Sequence, residues 1–339
     1  MDNSQSPLLA TSLMAEPNSI SVVMPVFNHA QFLERSLGAV AQQTRPPLEV
    51  IVVDDCSTDG GADAAETFRA RIEPASRLTV VRNAKNLGVN GATNSVLDRV
   101  RGDWICCTGA DDWLQPNFIE AMGAAAALFP KAGIVTSQYV EFFEAEERTR
   151  VHDRRSEHGT WYADEPAYFA PEDLTRIMRR GHVAIQINAS LMRTEALRTA
   201  GGYDPKLKWH ADWFVAYALA FRHGLAVIPE PVATFRIAEG TFSGDNVGRA
   251  DSQREVCNAI LDKLESLQGR DVRQALLEAP APFAPFVRHM LPALAARPQD
   301  RDLFRATLKW WASEVARGRR PGFLRRIAER LGVDTTPKR

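Results

Sequence analysis

Two pairs of adjacent carboxylates, each placed directly after an apolar run, are the residues of this chain best suited to chemistry. Asp54-Asp55-Cys56-Ser57-Thr58-Asp59 follows the run LEVIVV at 48–53, and Asp111-Asp112 follows WICCT at 104–108. Neighbouring carboxylates repel one another unless a donor or a cation offsets their charge. At a strand end they suit a hard divalent ion such as Mn²⁺ or Mg²⁺. Such ions take one or two protein carboxylates and complete their shell with phosphate oxygens and water. The plain alternative is an acidic turn, with Ser57, Thr58 or Asp59 capping a helix, and that local role suits Asp59 best. It does not explain two acidic strand ends in one chain. A third segment, Asn86-Leu87-Gly88 with Asn90-Gly91, is rich in residues that allow positive φ or close backbone approach to a ligand.

The elements around these residues predict how they are held. ISVVMPVF at 20–27 reads as a strand buried on both faces, and Phe32, Leu33, Leu37 and Val40 recur at helical spacing until Pro46-Pro47. Strand character returns at 48–53, 78–81, 104–108 and 133–143, with helical patterns at 62–71, 90–100 and 116–129 between. This alternation predicts an α/β fold, a doubly wound, mainly parallel sheet flanked by helices, with ligands beyond the carboxyl ends of the strands. Residues 144–180 are polar and Arg-rich and are expected to be irregular and mobile. An apolar helix is expected over 212–221, then a last strand at 225–228 that stops at Pro229. Beyond residue 248 the pattern is mainly helical. The expected division is a flexible tail at 1–19, a catalytic domain at 20–247 and a helical extension at 248–339.

Composition narrows the classes. Of 339 residues 45% are hydrophobic and 24% charged, which is ordinary for a globular chain. The net charge of -1 provides no global basic field, so nucleic acid is not an expected partner. Cys56, Cys106, Cys107 and Cys257 form no CxxC pair and read as buried free thiols in a reducing compartment. No apolar run reaches the roughly 18 residues of a membrane span. The first 19 residues lack the charged and apolar regions of a signal peptide, so a cytoplasmic location is expected.

Together the segments MPVFN, VVDDCSTDG, NLGVNGATN, GADDWLQP, GGYDPKLKWHADW and PEPVATFR, in this order over residues 24 to 236, resemble a family-2 glycosyltransferase. The resemblance covers about two thirds of the chain, residues 20 to about 240, and implies the GT-A fold and an inverting transfer. It implies that Pro25, Phe27 and Asn28 line a nucleobase pocket and that Asp55 hydrogen-bonds the base, typically uracil, with Asp54 supporting that loop. Asn86 and Gly88 would lie near the ribose and diphosphate. Asp111 would face the ribose or metal, and Asp112 would be the principal ligand of Mn²⁺ or Mg²⁺. Gly109 stands where many members carry the first Asp of Asp-x-Asp. Asp212 occupies the place of the catalytic base, although the usual preceding Glu is Ala211. As the first polar residue of an apolar helix, Asp212 also suits capping or the helix dipole. His210 is a second candidate as base or metal ligand, and Trp209 and Trp213 are candidates for stacking on a sugar or for the core.

The implied partners are a nucleotide-sugar donor, probed first with UDP-sugars, and a saccharide or lipid-linked acceptor, as in polysaccharide or cell-surface glycan synthesis. The rivals are a nucleotidyltransferase, which would release pyrophosphate, and a binding module that has lost turnover. A dehydrogenase is disfavoured, because the first strand-helix turn, Pro25 to Ala30, carries no glycine fingerprint. The segment 317–330 holds six arginines against one glutamate, with apolar residues between. It reads either as a peripheral contact with an anionic membrane or as a solvated helix packed on the protein.

Overall fold

In the computed structural model, which describes residues 18–73, 75–151, 163–179, 181–238 and 250–317, the first apolar run forms strand β1 (Ile20–Val26) and is buried along almost its whole length. Helix α1 (Leu33–Ala41) follows, then β2 (Glu49–Asp54), α2 (Gly61–Glu66), α3 (Arg69–Ile72), β3 (Arg77–Arg82), α4 (Gly88–Val96), β4 (Trp104–Cys107), a short β5 (Trp113–Leu114) and α5 (Phe118–Leu128). The chain continues through β6 (Ile134–Phe143), β7 (Arg148–Val151), β8 (Ala167–Phe169), α6 (Pro171–Met178), β9 (Ser190–Arg193), α7 (Thr194–Thr199), α8 (Ala211–His223) and β10 (Leu225–Ile237). Four further helices complete the described residues: α9 (Ala250–Glu265), α10 (Arg270–Glu278), α11 (Val287–Ala295) and α12 (Arg301–Ala316).

All ten strands join one sheet in the order β3-β2-β1-β4-β9-β6-β10-β5, with β7 on β6 and β8 on β10. The expected parallel arrangement holds for β3, β2, β1 and β4, and again for β6 with β10. Between them β9 runs antiparallel to both β4 and β6, so the sheet is mixed. Its two faces explain why the strands lack polar alternation. Val22 and Met24 pack with Leu33 and Leu37 of α1 and with Phe118 of α5. The residue between them, Val23, joins the opposite cluster with Val96, Leu219, Leu264, Phe283 and Trp311. With both faces covered, such a strand is mostly apolar, and its buried polar positions are paired, as Ser21 of β1 is with Glu49 of β2. That second cluster also runs without a break from the sheet into the C-terminal helices.

Two sequence expectations are corrected. The stretch 144–180, read as irregular, contains β7, β8 and α6. Pro171 at the first helical turn, with Glu172 and Asp173 beside it, starts α6, which buries Leu174 and Met178. The last strand does not stop at Pro229. It continues to Ile237, with register shifts against β6 between Ile228 and Pro231 and between Pro231 and Ala233. A proline cannot donate to a ladder, and a bulge lets the strand pass it. The thiol expectation holds for Cys106, Cys107 and Cys257, whereas Cys56 is exposed.

No helix among the described residues is long and apolar enough to cross a membrane. Residues 1–17 of the expected tail, residues 74, 152–162, 180 and 239–249, and the expected basic segment from residue 318 onward lie outside the described residues.

Candidate active site

Beyond the carboxyl ends of β1, β2 and β4 the sheet opens into a cleft of about 650 Å³, the place where open α/β sheets bind ligands. Of the ten residues singled out from the sequence, Pro25, Phe27, Asp55, Asn86, Gly88, Asp111, Asp112 and Asp212 line this cleft, and Asn28 and Asp54 do not.

Asn28 is turned into the loop behind the cleft. It sits at φ 53°, and its Oδ1 accepts from the Thr58 N–H at 2.9 Å and the Thr58 hydroxyl at 3.2 Å. The contact ties the loop after β1 to the loop after β2 and so fixes where Phe27 emerges, 46% exposed at the cleft mouth. Asp59 takes the local role expected of it, accepting from the N–H groups of Gly61 and Ala30. Asp54 ends β2 with its Oδ1 buried and without a hydrogen-bond partner. Its neighbour Asp55 is 2% exposed. It accepts from the Leu87 N–H at 3.0 and 2.9 Å on its two oxygens and from Asn83 Nδ2 at 2.8 Å. This clamp shapes the turn into α4, where Gly88 adopts φ 72° and donates its N–H to Asn86 Oδ1.

On the far wall, Asp112 is 6% exposed. Its Oδ2 accepts from Asn188 Nδ2 at 2.8 Å and its Oδ1 from the Arg236 N–H at 2.9 Å. Burial, with the Asp111 carboxylate beside it, pushes its pKa up to about 7 against these donors. Arg236 is the offsetting charge. Its Nη1 lies 3.1 Å from Asp111 Oδ2 and its Nη2 2.5 Å from Glu144 Oε2. The guanidinium lies over the Phe32 ring at 4.3 Å. The hydrogen bond to Arg236 holds the Glu144 carboxyl below its usual range. Gly109 also acquires a reason: a Cβ there would stand 3.1 Å from both Asp111 Oδ1 and Asp112 Oδ2. Any side chain at 109 would crowd the pair.

Asn188 carries no distinguishing signal in sequence, and Arg236, the last residue of the PEPVATFR segment, is given no role there. Asn188 lies in a short apolar stretch, and Arg236 reaches the cleft only because β10 passes its prolines and pairs with β5, Ala233 opposite Leu114 and Thr234 opposite Trp113.

Asp212 stands in the first turn of α8. Its Oδ1 accepts from the Trp213 N–H at 2.6 Å. The residue is exposed to the cleft, yet the cleft walls crowd it, and this desolvation pushes its pKa up to about 6. The two neighbouring candidates face elsewhere. His210 packs on Phe286 with ring centroids 4.2 Å apart, outside the cleft lining, and burial pushes its pKa down to about 4. Of the tryptophans, Trp209 lines the cleft. Trp213 stacks on Phe283 at 5.6 Å and donates its Nε1–H to the Pro282 carbonyl, so it belongs to the core.

Could these residues hold a divalent cation? Among the described residues no three His, Cys, Asp or Glu side chains converge. The donors present are hard oxygens: the two adjacent carboxylates and Asn188 Oδ1, which is buried and has no hydrogen-bond partner. This set fits a cation that takes one or two carboxylates from the protein and the rest of its shell from phosphate and water.

Residues 21–198 match the family described as Glycosyl transferase family 2. Glycosyltransferase GlyA of Streptococcus pneumoniae serotype 4 is 27% identical over 133 residues, 39% of this chain and 18% of that protein, so the chain spans less than a fifth of that relative's length. Among solved structures, Staphylococcus aureus TarS 1-349 in complex with UDP-GlcNAc superposes with a TM-score of 0.59 at 17% identity, covering 88% of this chain and 80% of that one. The mannosyltransferase PcManGT of Pyrobaculum calidifontis, in complex with GDP-Man and Mn²⁺, gives 0.52 at 19% identity, covering 93% and 80%. These likenesses show the shared fold.

Proposed function

The chain belongs to glycosyl transferase family 2, and on that premise we propose that it transfers a sugar, with inversion, from a nucleoside-diphosphate sugar to a hydroxyl of a saccharide or lipid-linked acceptor. It has the GT-A fold of its structural neighbours. The transfer itself, the donor class, the inversion, the cation and the residue roles are the proposed part. The observation that carries them is the convergence on one cleft of Asp55, the Asp111-Asp112 pair and Asp212, from three separate segments of the chain.

The roles follow from chemistry. Phe27 and Pro25 offer apolar faces to a base, and Asp55 stands fixed beside them. The neighbours named above hold UDP-GlcNAc and GDP-Man, which supports a nucleotide-sugar donor here, with a uridine nucleotide the first to test. Asp112, with Asp111, would hold Mn²⁺ or Mg²⁺, which when bound offsets negative charge on the diphosphate leaving group. Arg236 supplies a second positive charge on the same wall. Asp212, facing the cleft as a carboxylate above pH about 6, accepts the proton of the attacking hydroxyl. A single displacement at the anomeric carbon then inverts its configuration. Polysaccharide or cell-surface glycan synthesis is the setting proposed for the acceptor, and the cytoplasm, with a peripheral membrane contact through the basic C-terminal segment, is the proposed location.

Titration calorimetry with UDP, GDP, dTDP and CDP, each with and without Mn²⁺, tests the donor site. Selective, cation-dependent binding of one nucleotide supports the reading. No binding by folded protein rejects it in favour of a module without turnover.

A further inference from the structure

The turn that delivers Asp212 is held from outside the strand-and-helix region that forms the cleft. Residues Pro205–His210 form a 3-10 turn, and inside it Lys208 adopts φ 48° and ψ -122°. This is the conformation of the first central residue of a type II′ turn, a glycine position. For lysine it is strained, and it persists only where the surroundings impose it. Two ties on Lys208 itself are visible. Its carbonyl accepts from Asn90 Nδ2 at 2.7 Å, and its ammonium pairs with Glu255 Oε2 of α9 at 2.7 Å. The same helix grips the turn twice more. Gln253 Oε1, on a residue 1% exposed, lies 3.3 Å from His210 Nε2. Lys263 Nζ lies 3.3 Å from Asp204 Oδ2 at the start of the turn. Beyond the turn, Phe286 packs on the His210 ring and Phe283 on Trp213. Asp212 stands between His210 and Trp213, so both of its flanks are set by residues beyond 250.

We propose that Gln253 and Glu255 of α9 are positioning residues for Asp212, and that the C-terminal helices complete the catalytic site by holding the strained turn before it. The inference rests on the reading of Asp212 as the proton acceptor. Neither residue lines the cleft: both act through the side chains of Lys208 and His210. A displacement of about 1 Å at a reacting group costs roughly a hundredfold in rate. The Lys208–Glu255 pair is largely solvated, with side-chain exposures of 37% and 66%, and such pairs add little to global stability. Loss of the Glu255 grip therefore reads out at the site rather than in unfolding.

The test uses the full chain with Gln253→Ala and Glu255→Gln combined, Glu255→Asp as the conservative variant, and Asp212→Asn beside them. Hydrogen exchange of residues 204–213 needs no acceptor. The double variant is expected to speed it at least tenfold while β1 to β4 stay protected and UDP affinity in Mn²⁺ stays unchanged. Release of UDP from UDP-glucose or UDP-N-acetylglucosamine is expected to fall at least tenfold in kcat with unchanged donor KM, and Glu255→Asp to restore most of it. Exchange in 204–213 equal to the parent overturns the inference. So does a uniform loss of protection, UDP affinity and turnover together, since that marks a structural role only. If Asp212→Asn loses turnover while the double variant keeps it, the positioning inference alone falls. If Asp212→Asn keeps turnover, the reading of Asp212 falls and this inference with it.

Discussion

Replacing Asp212 by Asn keeps its size and its place in the first turn of α8 and removes only the group proposed to take the proton. The structure sets what should follow. With a pKa near 6, about nine tenths of the Asp212 carboxyls are ionised at pH 7 and about one tenth at pH 5. Desolvation raises this pKa by disfavouring the charged form, so the competent base is lost as pH falls. The kcat of the parent protein is therefore expected to drop roughly tenfold between pH 7 and pH 5. In Asp212→Asn that acid limb should vanish, and kcat at pH 7 should fall by about 10²–10⁴-fold, equivalent to about 3–5 kcal/mol of barrier. Nucleotide affinity is expected to be unchanged, because the proposed role of Asp212 is toward the acceptor hydroxyl. Nucleoside diphosphate release at saturating donor gives the rates, and calorimetry with UDP and Mn²⁺ gives the affinity. Asp112 provides an internal control, since its own raised pKa, about 7, would also produce an acid limb if no cation held it ionised. An acid limb that survives in Asp212→Asn at saturating Mn²⁺, or turnover close to the parent's, refutes the assignment.

Asp112→Asn is expected to weaken the Mn²⁺-dependent part of UDP binding by tenfold or more while leaving the cation-free part intact; calorimetry with and without Mn²⁺ separates the two. Arg236→Ala leaves Asp111, 18% exposed in its side chain, beside buried Asp112 without a counter-charge. A loss of about 2 kcal/mol is expected, between the values for surface and fully buried pairs. Thermal melts should show it, with millimolar Mn²⁺ restoring part of it; identical melts would deny Arg236 that role. Gly202 sits at φ 68° with an added Cβ only 2.4 Å from Asn94 Oδ1, and Asn94 holds the backbone of Tyr203 through both its N–H and its carbonyl. Gly202→Ala should therefore cost about 1–3 kcal/mol in urea unfolding. Truncation after residue 247 would bare the cluster that joins Leu219 to Leu264, Phe283 and Trp311, and the shortened chain is expected to be insoluble or to expose dye-binding surface.

Much of the protein follows from residue order alone. Largely apolar runs ended by carboxylates point to a sheet buried on both faces with its acidic groups at one end, because a strand covered on both sides tolerates few polar positions until it leaves the core. That is why β1, β2 and β4 are legible, with Asp55, Asp111 and Asp112 beyond their ends, whereas the places of Pro25, Phe27 and Asp212 follow from the family resemblance. The clamp of Asp55 on Leu87 and Asn83 joins segments about thirty residues apart. No local pattern encodes it, yet the motif residues themselves were readable. What only the tertiary structure decided are the contacts made across longer distances. Asn188 meets Asp112 over 76 residues and Arg236 meets Asp111 over 125. The strand through Pro229 and Pro231 survives because bulges absorb their missing N–H groups, which a local rule reads as a stop. His210 and Trp213 sit beside Asp212 in sequence but face away from the cleft, since a helical start sends successive side chains in different directions. Their partners, Phe286 and Phe283, come from the C-terminal helices, whose apolar spacing foretells helices but not the surface they cover.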